Sequence, residues 1–230
     1  MPTSYPTAVE DYVKVIYSHT EWQDQPITTS VLAARLGLAA SSVTEMVKKL
    51  AVQGLVEHVP YGAVTLTPDG TALALRMLRR HRLIETWLVQ HFGYSWDEVH
   101  DEAEILEHAL SDRLLDAIDE ELGCPVRDPH GDPIPGRDGT ISRPEAALLG
   151  AASEGSTVTV ARISDRDPML LRHLEAEGIT VDTALVVVGR QPFGGGFIVR
   201  LPTGEERDLG EQALESIWAT RQSSQTREIS

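Results

Sequence analysis

The sequence predicts an α+β fold in three parts, and three observations lead to this prediction. The N-terminal residues show three helical segments followed by a hairpin pattern, long amphipathic helices come next, and the C-terminal third alternates polar and apolar residues. A stretch dense in Pro, Gly and Asp separates the helices from the alternating segment. We therefore expect domains at residues 1–73, 74–145 and 155–220, the last a small β-barrel.

The composition limits the class of protein. The chain has 230 residues, 41% of them hydrophobic, and a single cysteine, Cys124. One cysteine excludes an internal disulfide and a thiolate cluster. The chain shows neither a long apolar run nor a signal-peptide pattern, so we expect a soluble cytoplasmic protein with no membrane partner.

The net charge of −15 is unevenly distributed along the chain. Residues 74–145 carry −8, against −3 before them and −4 after them. All three lysines, Lys14, Lys48 and Lys49, lie in the N-terminal part. Any contact with a polyanion is therefore expected there, although an acidic protein is not by itself a typical nucleic-acid binder.

The N-terminal part follows the order of a winged helix-turn-helix. Residues 7–20 form one predicted helix, and "ITTSVLAARLGLAASSVTEMVKKLAVQGLV" predicts two short helices separated by Gly37. "VEHVPYGAVTL" alternates with period two around a turn, which predicts a hairpin. The residues expected to face inward are Val9, Val13, Ile16, Tyr17, Val31, Leu32, Leu36, Val43, Met46, Val47 and Leu50. Three helices and a hairpin in this order are typical of a winged helix.

Two longer helices are expected in the middle part. Thr67 and Pro68 suit the N-cap and first position of a helix that runs to Gly93. A second helix is predicted from about Ser95 to Leu122. Its apolar stripe consists of Ile105, Ala109, Leu114, Ile118 and Leu122. Two helices alone cannot bury such stripes, so we expect a homodimer through residues 74–122.

The C-terminal part is expected to follow an extended connector at residues 125–144. The segments "STVTVARI", "TALVVVGRQ", "GFIVRLP" and "ERDLG" alternate as short strands do, and "PMLLRHLEAEG" interrupts them with a helical pattern. This arrangement predicts a five-stranded barrel at residues 155–219.

The stretch "HDEAEILEH" concentrates potential metal ligands in the predicted second helix. At about 100° per residue, His100, Glu104, Glu107 and His108 share one face. Such a row of N and O donors is either a solvated acidic face or a metal site.

Other potential ligands lie on the preceding helices. Asp11 lies on the first helix, and His81 and Glu85 are four residues apart on the long helix. Taken singly, each reads more simply as a solvated carboxylate or a surface helix pair. An antiparallel pairing of the two long helices would bring several of them together, so we expect two metal sites. Oxygen and imidazole donors without sulfur favour Mn²⁺, with Fe²⁺ next, and Zn²⁺ or Co²⁺ are expected to bind in vitro.

Four motifs in order, "EDYVKVIY", "MLRRHRLIE", "VHDEAEILEHALSD" and "HGDPIPG", resemble the diphtheria toxin repressor family of metal-dependent transcriptional regulators. The resemblance covers about residues 5–220. It implies a winged helix-turn-helix, a helical dimerisation domain and a C-terminal SH3-like domain of the kind called FeoA-like. It also implies that the protein is not an enzyme and that its partner is a double-stranded DNA operator.

The resemblance also assigns ligands to the two expected metal sites. The primary site would comprise Asp11, Glu104, Glu107 and His108, and the ancillary site would comprise His81, Glu85 and His100. The barrel would complete the ancillary site, and the best match is Asp167, which could equally be an exposed loop residue.

Two departures from the family pattern bear on the choice of metal. The iron-responsive branch has methionine and cysteine at the positions of Asp11 and Glu104, so this chain is more similar to the manganese-responsive branch. Two-domain manganese regulators have glutamate at the position of Lys14. Two separated sites therefore fit better than a closely spaced binuclear one.

The expected recognition helix spans about residues 40–53. Short polar side chains near its N-terminus suit base edges, and two lysines further along suit phosphates. The expected DNA-contacting residues are Ser41, Ser42, Thr44, Glu45, Lys48, Lys49 and, at the wing, Tyr61. Helix capping is an alternative role for Ser41 and Ser42.

We thus predict a manganese-dependent repressor that acts as a homodimer on operators of metal-uptake genes, with no small organic substrate. An iron(II)-dependent regulator of the same family is the first alternative. A di-metal hydrolase is another, although no nucleophile motif or phosphate loop accompanies the donors. A metal buffer that does not bind DNA is the third.

Overall fold

The structure is a computed structural model that describes residues 5–23, 25–59, 62–191 and 195–221. The chain divides into two compact units. The first unit comprises Met1–His81, Leu106–Leu115 and Pro135–Ile141, and the second comprises Arg82–Ile105, Asp116–Ile134 and Ser142–Ser230. The domains expected from the sequence, at residues 1–73, 74–145 and 155–220, are continuous segments, whereas each of these units combines separate segments. The expected boundaries therefore stay a prediction.

The first unit contains a winged helix. Its elements are α1 (Thr7–Thr20), β1 (Ile27–Thr28), α2 (Thr29–Leu36), α3 (Ala40–Val52), β2 (Val56–His58) and β3 (Ala63–Leu66). The strands form an antiparallel sheet in the order β1-β3-β2. Gly37 ends α2 with a φ of 65°, a left-handed conformation that glycine adopts without a side-chain penalty. The helix order and the hairpin follow the sequence prediction.

The core of the first unit is formed by the inward faces of α1, α2 and α3. Val13, Leu32 and Val47 are fully buried in it. The prediction for Val31 was wrong, because this side chain is 38% exposed. Leu36 and Met46 pack against the core but are only partly buried.

Three further helices follow, where the sequence predicted two. They are α4 (Pro68–Phe92), α5 (Val99–Leu106) and α6 (Asp112–Glu121). Thr67 caps α4 as predicted, because its hydroxyl accepts a hydrogen bond from the backbone N–H of Gly70 at 3.1 Å. The single helix predicted from Ser95 to Leu122 was wrong.

The side chain of Arg80 accounts for the break between α5 and α6. Its guanidinium donates to the carbonyl oxygen of Glu107 at 2.7 Å and to the carbonyl oxygen of Leu110. It also contacts Asp112 at 2.5 Å. These contacts satisfy carbonyl groups of the turn that follows α5, while the backbone N–H of Leu114 bonds to the hydroxyl of Ser111 at the start of α6. Glu107 and His108 therefore lie in a turn.

The second unit contains a six-stranded antiparallel sheet in the order β4-β9-β5-β6-β7-β8. The strands are β4 (Ala147–Leu148), β5 (Thr157–Ile163), β6 (Ala184–Arg190), β7 (Phe197–Arg200), β8 (Glu206–Leu209) and β9 (Ile217–Arg221), with helices α7 (Pro168–Ala176) and α8 (Glu211–Leu214). The predicted strand count of five missed β4, which is only two residues long. Trp96, from the loop between α4 and α5, belongs to the same hydrophobic core as this sheet. The α+β class predicted from the sequence is confirmed.

Over the described ranges, we find no single helix that combines the length and apolarity needed to cross a membrane. Only α2 and α3 taken together meet those criteria, and this pair is bent by 112°.

Candidate metal centres

The first unit brings together Asp11, Glu107 and His108. The Nε2 atom of His108 lies 2.9 Å from Oδ1 of Asp11 and 3.3 Å from Oε1 of Glu107. Ligand atoms around one divalent cation are separated by similar distances, since metal–ligand bonds of about 2.1 Å place adjacent ligands about 3 Å apart. Asp11 lies on α1, whereas Glu107 and His108 lie in the turn between α5 and α6. One cation would therefore link these two segments.

Glu10 orients the imidazole of His108. The Nδ1 atom of His108 lies 2.9 Å from Oε2 of Glu10, and a carboxylate accepts hydrogen bonds. The Nε2 atom faces a second carboxylate, that of Asp11, at the same distance. With a cation bound, the Nδ1–H group would donate to Glu10 and the Nε2 lone pair would bind the cation. Such a carboxylate–histidine pair is typical of metal-binding imidazoles. Glu10 was not predicted to have this role, although it stands in the "EDYVKVIY" motif.

Glu107 is the most deeply buried residue of the group, with a fully enclosed side chain. Its Oε1 lies 2.6 Å from Nζ of Lys14, and its Oε2 lies 2.6 Å from Nδ1 of His81. Burial raises the pKa of Glu107, but the hydrogen bonds and charges of His81 and Lys14 outweigh it and hold that pKa below its ordinary value. The carboxylate is thus ionised and ready to bind a cation.

The second unit brings together Glu85, His100 and Asp165. The Nδ1 atom of His100 lies 3.5 Å from Oε1 of Glu85 and 3.5 Å from Oδ2 of Asp165. Each residue offers one ligand atom, and these atoms all lie within 4.8 Å of one another. Glu104 belongs to this unit too, with its Oε1 3.7 Å from Nε2 of His100. Within the second unit Glu104 thus lies beside His100, and within the first unit His81 contacts Glu107.

Asp167 is placed elsewhere, so the structure does not support it as the barrel ligand. Its Oδ1 accepts hydrogen bonds from the backbone N–H groups of Met169 and Leu170 and caps α7. Its Oδ2 accepts a hydrogen bond from the side chain of Gln212. Asp165 stands two residues earlier, outside the helix, and its carboxylate faces His100 instead.

A third group in the second unit consists of Glu85, Asp128 and His130, and all three side chains are buried. Burial and the neighbouring charges of Asp132 and Glu85 raise the pKa of Asp128 to about 8. Burial lowers the pKa of His130, but the carboxylates around it outweigh this effect and raise it. Asp128 and His130 flank Pro129, in the segment predicted from the sequence to be an extended connector, and neither was predicted to be a metal ligand.

The predicted DNA-contacting residues lie on α3 and are mostly exposed. Ser41 and Ser42 follow an N-cap, Ala39, at which no side chain caps the helix. The hydroxyl of Thr44 donates to the carbonyl oxygen of Ala40 at 2.8 Å. The expected contacts at Glu45, Lys48 and Lys49 are also on this helix, where Lys48 pairs with Glu45 at 2.7 Å. Tyr61 lies outside the described residues.

Three family models together match most of the chain. The iron-dependent repressor N-terminal DNA-binding domain matches residues 6–64, and the iron-dependent repressor metal-binding and dimerisation domain matches residues 67–136. The FeoA domain matches residues 148–221.

Curated proteins and solved structures agree with these models. The iron-dependent repressor IdeR of Mycobacterium tuberculosis is 30% identical over 220 residues, which cover 90% of this chain and 94% of that protein. The diphtheria toxin repressor of Corynebacterium diphtheriae is 33% identical over 142 residues, or 61% of this chain and 62% of that protein. A structure described as a manganese-dependent transcriptional repressor in complex with manganese is 51% identical, with a TM-score of 0.89 over 93% of this chain and all of that one.

The chain belongs to the diphtheria toxin repressor family and is most like its manganese-responsive branch with a C-terminal SH3-like domain. Members of this family are metal-dependent transcriptional repressors rather than enzymes. The resemblance found in the sequence is therefore confirmed.

Proposed function

We propose that this protein is a manganese-dependent transcriptional repressor whose winged helix binds operators of metal-uptake genes when Mn²⁺ is bound. The observation that supports it best is the group of Asp11, Glu107 and His108 in the first unit. One of these residues lies in the segment that matches a DNA-binding domain, and the other two lie in the segment that matches a metal-binding domain. A cation held by all three would fix α1 relative to the turn after α5.

The carboxylate of Glu107 has partners without a bound metal, because Lys14 and His81 both contact it. The ammonium group of Lys14 neutralises a charge that a second metal ion would otherwise neutralise. We therefore propose that this group binds one cation.

Manganese is favoured because every donor in the groups is a carboxylate oxygen or an imidazole nitrogen. Ions such as Mn²⁺ bind these ligands well, whereas thiolate and thioether donors favour softer ions. The manganese-containing similar structure supports the same choice. An iron(II)-dependent regulator remains the alternative within the family, and the IdeR proteins are relatives of that type.

We propose that Glu85, His100 and Asp165 form the ancillary site, with Asp165 in the place expected for Asp167. Glu85 is almost fully enclosed, with 1% of its side chain exposed. A cation here would link α4 and α5 to the loop after β5, within the second unit. This loop would thereby be held by the metal.

The proposed repressor acts as a homodimer. Several apolar side chains of the predicted dimerisation segment are exposed in the single chain, which is unfavourable in water. They include Phe92 at 59%, Ile105 at 70% and Leu114 at 45% exposure. A second copy of the chain would cover such side chains, and the matched dimerisation domain supports this assignment.

The test is fluorescence anisotropy with a labelled DNA duplex selected from a random-sequence pool by its Mn²⁺-dependent binding to the wild-type protein. We expect tight binding with Mn²⁺ and at least about 100-fold weaker binding with chelator or in His108→Ala, since even residues that only support metal ligands change metal affinity 10- to 100-fold. His173→Ala is the control, because His173 is an exposed histidine on α7 outside the groups.

Failure to select any duplex, or equal binding with and without metal, would contradict the proposal. Repetition of the titration with Fe²⁺ under anaerobic conditions distinguishes the manganese regulator from the iron alternative. Hydrolysis of phosphate esters by the Mn²⁺-loaded protein would instead support an enzyme.

A further inference from the structure

Helix α3 exposes one line of side chains that follows the repeat of the helix. The line consists of Ser41, Glu45, Lys48 and Val52. The opposite face of α3 is buried in the core of the first unit. Helices α2 and α3 meet at 112°, an angle typical of a helix-turn-helix, in which the second helix enters the major groove of DNA. The exposed line is therefore the surface of α3 that would face base edges.

Glu45 lies in the middle of this line and is the only acidic residue of α3. Its side chain is 66% exposed. A carboxylate close to DNA is repelled by the phosphates, so it favours binding only where a base edge offers it a hydrogen-bond donor. Glu45 is therefore suited to the selection of a base and unsuited to contact with the DNA backbone.

Lys48 keeps Glu45 in the form that this contact requires. Its Nζ lies 2.7 Å from Oε1 of Glu45. The hydrogen bond and the charge of Lys48 hold the pKa of Glu45 below its ordinary value, so the carboxylate is ionised and only accepts hydrogen bonds. Since Lys48 contacts Oε1, the second oxygen, Oε2, is the one that can face a base. The ammonium group also offsets the negative charge of Glu45 beside the phosphates.

The chemistry of the major groove narrows the base that a carboxylate selects. The amino groups exposed there are N4 of cytosine and N6 of adenine, whereas guanine N7 and O6 and thymine O4 only accept hydrogen bonds. In adenine the amino group stands beside N7, an acceptor that repels a carboxylate, so an amide side chain suits adenine better. Cytosine has no such acceptor beside N4 in the groove. A carboxylate therefore fits cytosine best.

We propose that Glu45 determines operator specificity by accepting a hydrogen bond from the 4-amino group of one cytosine in each half of the operator. Lys48 holds the carboxylate in its ionised form for this contact. The inference rests on the proposed repressor function and adds to it a base that the recognition helix selects.

The first experiment selects duplexes from a random-sequence pool with Mn²⁺ present, using the wild type, Glu45→Gln and Glu211→Gln. We expect the wild type to enrich cytosine at one position of each half-site. Glu45→Gln should no longer enrich cytosine there, since its amide favours adenine. Glu211→Gln is the control, because it removes the same charge from an exposed residue of α8, outside the DNA-binding segment, and it should select the wild-type sequence.

The second experiment removes the amino group from the DNA. The selected cytosine is replaced by the 2-pyrimidinone nucleoside, which lacks the 4-amino group and still pairs with guanine. We expect the wild type to bind this duplex about tenfold more weakly than the unmodified one. Glu45→Ala should bind both duplexes equally, because it has no carboxylate to lose the contact, and this comparison isolates the pair. The same replacement at a cytosine outside the half-sites controls for weakening of the duplex.

The outcomes separate this inference from the proposed function. Wild type and Glu45→Gln that select the same bases, or an equal loss of affinity for the modified duplex in the wild type and Glu45→Ala, would overturn the role of Glu45. Metal-dependent DNA binding would then stand, and the pair with Lys48 would only stabilise α3. A wild-type protein that selects no duplex would contradict the proposed function as well.

Discussion

The ammonium nitrogen of Lys14 lies 2.6 Å from Oε1 of Glu107, and both side chains are buried. The same oxygen lies 3.3 Å from Nε2 of His108, so it faces the position where a cation would bind. Lys14 thus stabilises the ionised carboxylate in the absence of metal. A metal ion that binds Glu107 has to share this oxygen with the ammonium group or displace it.

Replacement of Lys14 by glutamine should destabilise the metal-free protein and increase its response to Mn²⁺. Removal of one partner of a buried ion pair costs about 3 kcal/mol, because the other charge stays buried without compensation. Mn²⁺ would neutralise that charge, so it should stabilise Lys14→Gln more than the wild type. Urea unfolding with and without Mn²⁺ measures both effects.

Lys48→Gln is the matched control, since it removes the same charge from an exposed pair with Glu45. An exposed pair contributes at most about 1 kcal/mol, so this variant should unfold nearly as the wild type does. An equal loss of stability in both variants, or an unchanged response to Mn²⁺ in Lys14→Gln, would show that Lys14 does not hold Glu107.

Gly131→Ala should destabilise the loop that carries Asp128 and His130. Gly131 has a φ of 91°, and a Cβ atom there would lie 2.1 Å from the carbonyl oxygen of Ala161. Gly155 has a similar φ of 78° with no atom within 4 Å of its Cβ position. Both substitutions incur about 1–2 kcal/mol for the left-handed backbone, and only Gly131→Ala adds a steric clash. Chemical denaturation should show Gly131→Ala to be the less stable by about 1–3 kcal/mol. Equal stabilities would mean that the loop can move away from β5.

The ion pair between Asp97 and Arg172 should stabilise the second unit at neutral pH but not in strong acid. Their side chains are 2.5 Å apart. Burial raises the pKa of Asp97, but hydrogen bonds from Arg172 and Ser95 outweigh it and hold that pKa below its ordinary 3.8. The stabilisation is therefore complete above pH 3.8 and is lost as the pH falls through the lowered pKa of the folded state.

Thermal unfolding should show Asp97→Asn to be less stable than the wild type at neutral pH, with the difference vanishing in strong acid. A difference that stays constant with pH would assign the effect to packing instead.

Leu114→Glu should convert the protein from a dimer to a monomer. Leu114 is exposed on α6 in the single chain, and a charge in an apolar contact between two copies is unfavourable. Sedimentation equilibrium gives the mass directly. Val52→Glu is the control, because Val52 is 89% exposed on α3, outside the predicted dimerisation segment. A dimeric Leu114→Glu protein would place the interface elsewhere.

The sequence was informative wherever local patterns decide the structure. The three helices, the hairpin and the capped start of α4 at Thr67 follow from periodicity and capping residues. The break after α5 could not be predicted in this way, because it depends on the side chain of Arg80, which is 27 residues from Glu107 in the chain. Long-range hydrogen bonds of this kind leave no periodic signal.

The candidate sites were predictable in residue type but not fully in grouping. Asp165 and Asp167 are equivalent in the sequence, and only the capping of α7 by Asp167 separates their roles. Asp128 and His130 lie in a Pro-rich connector that reads as a linker, yet their loop folds against β5. The pairing of Lys14 with Glu107 joins residues 93 positions apart, and only the fold brings them together.

The most direct test of metal-controlled DNA binding is a calorimetric titration of the protein with Mn²⁺ in the presence and absence of the selected operator duplex. Linkage requires that operator DNA raise the affinity for Mn²⁺ by the same factor by which Mn²⁺ raises the affinity for DNA. We expect this factor to be about tenfold or more in the wild type and absent in His108→Ala. Mn²⁺ binding of equal strength with and without DNA would contradict the repressor and would indicate a metal-buffering protein.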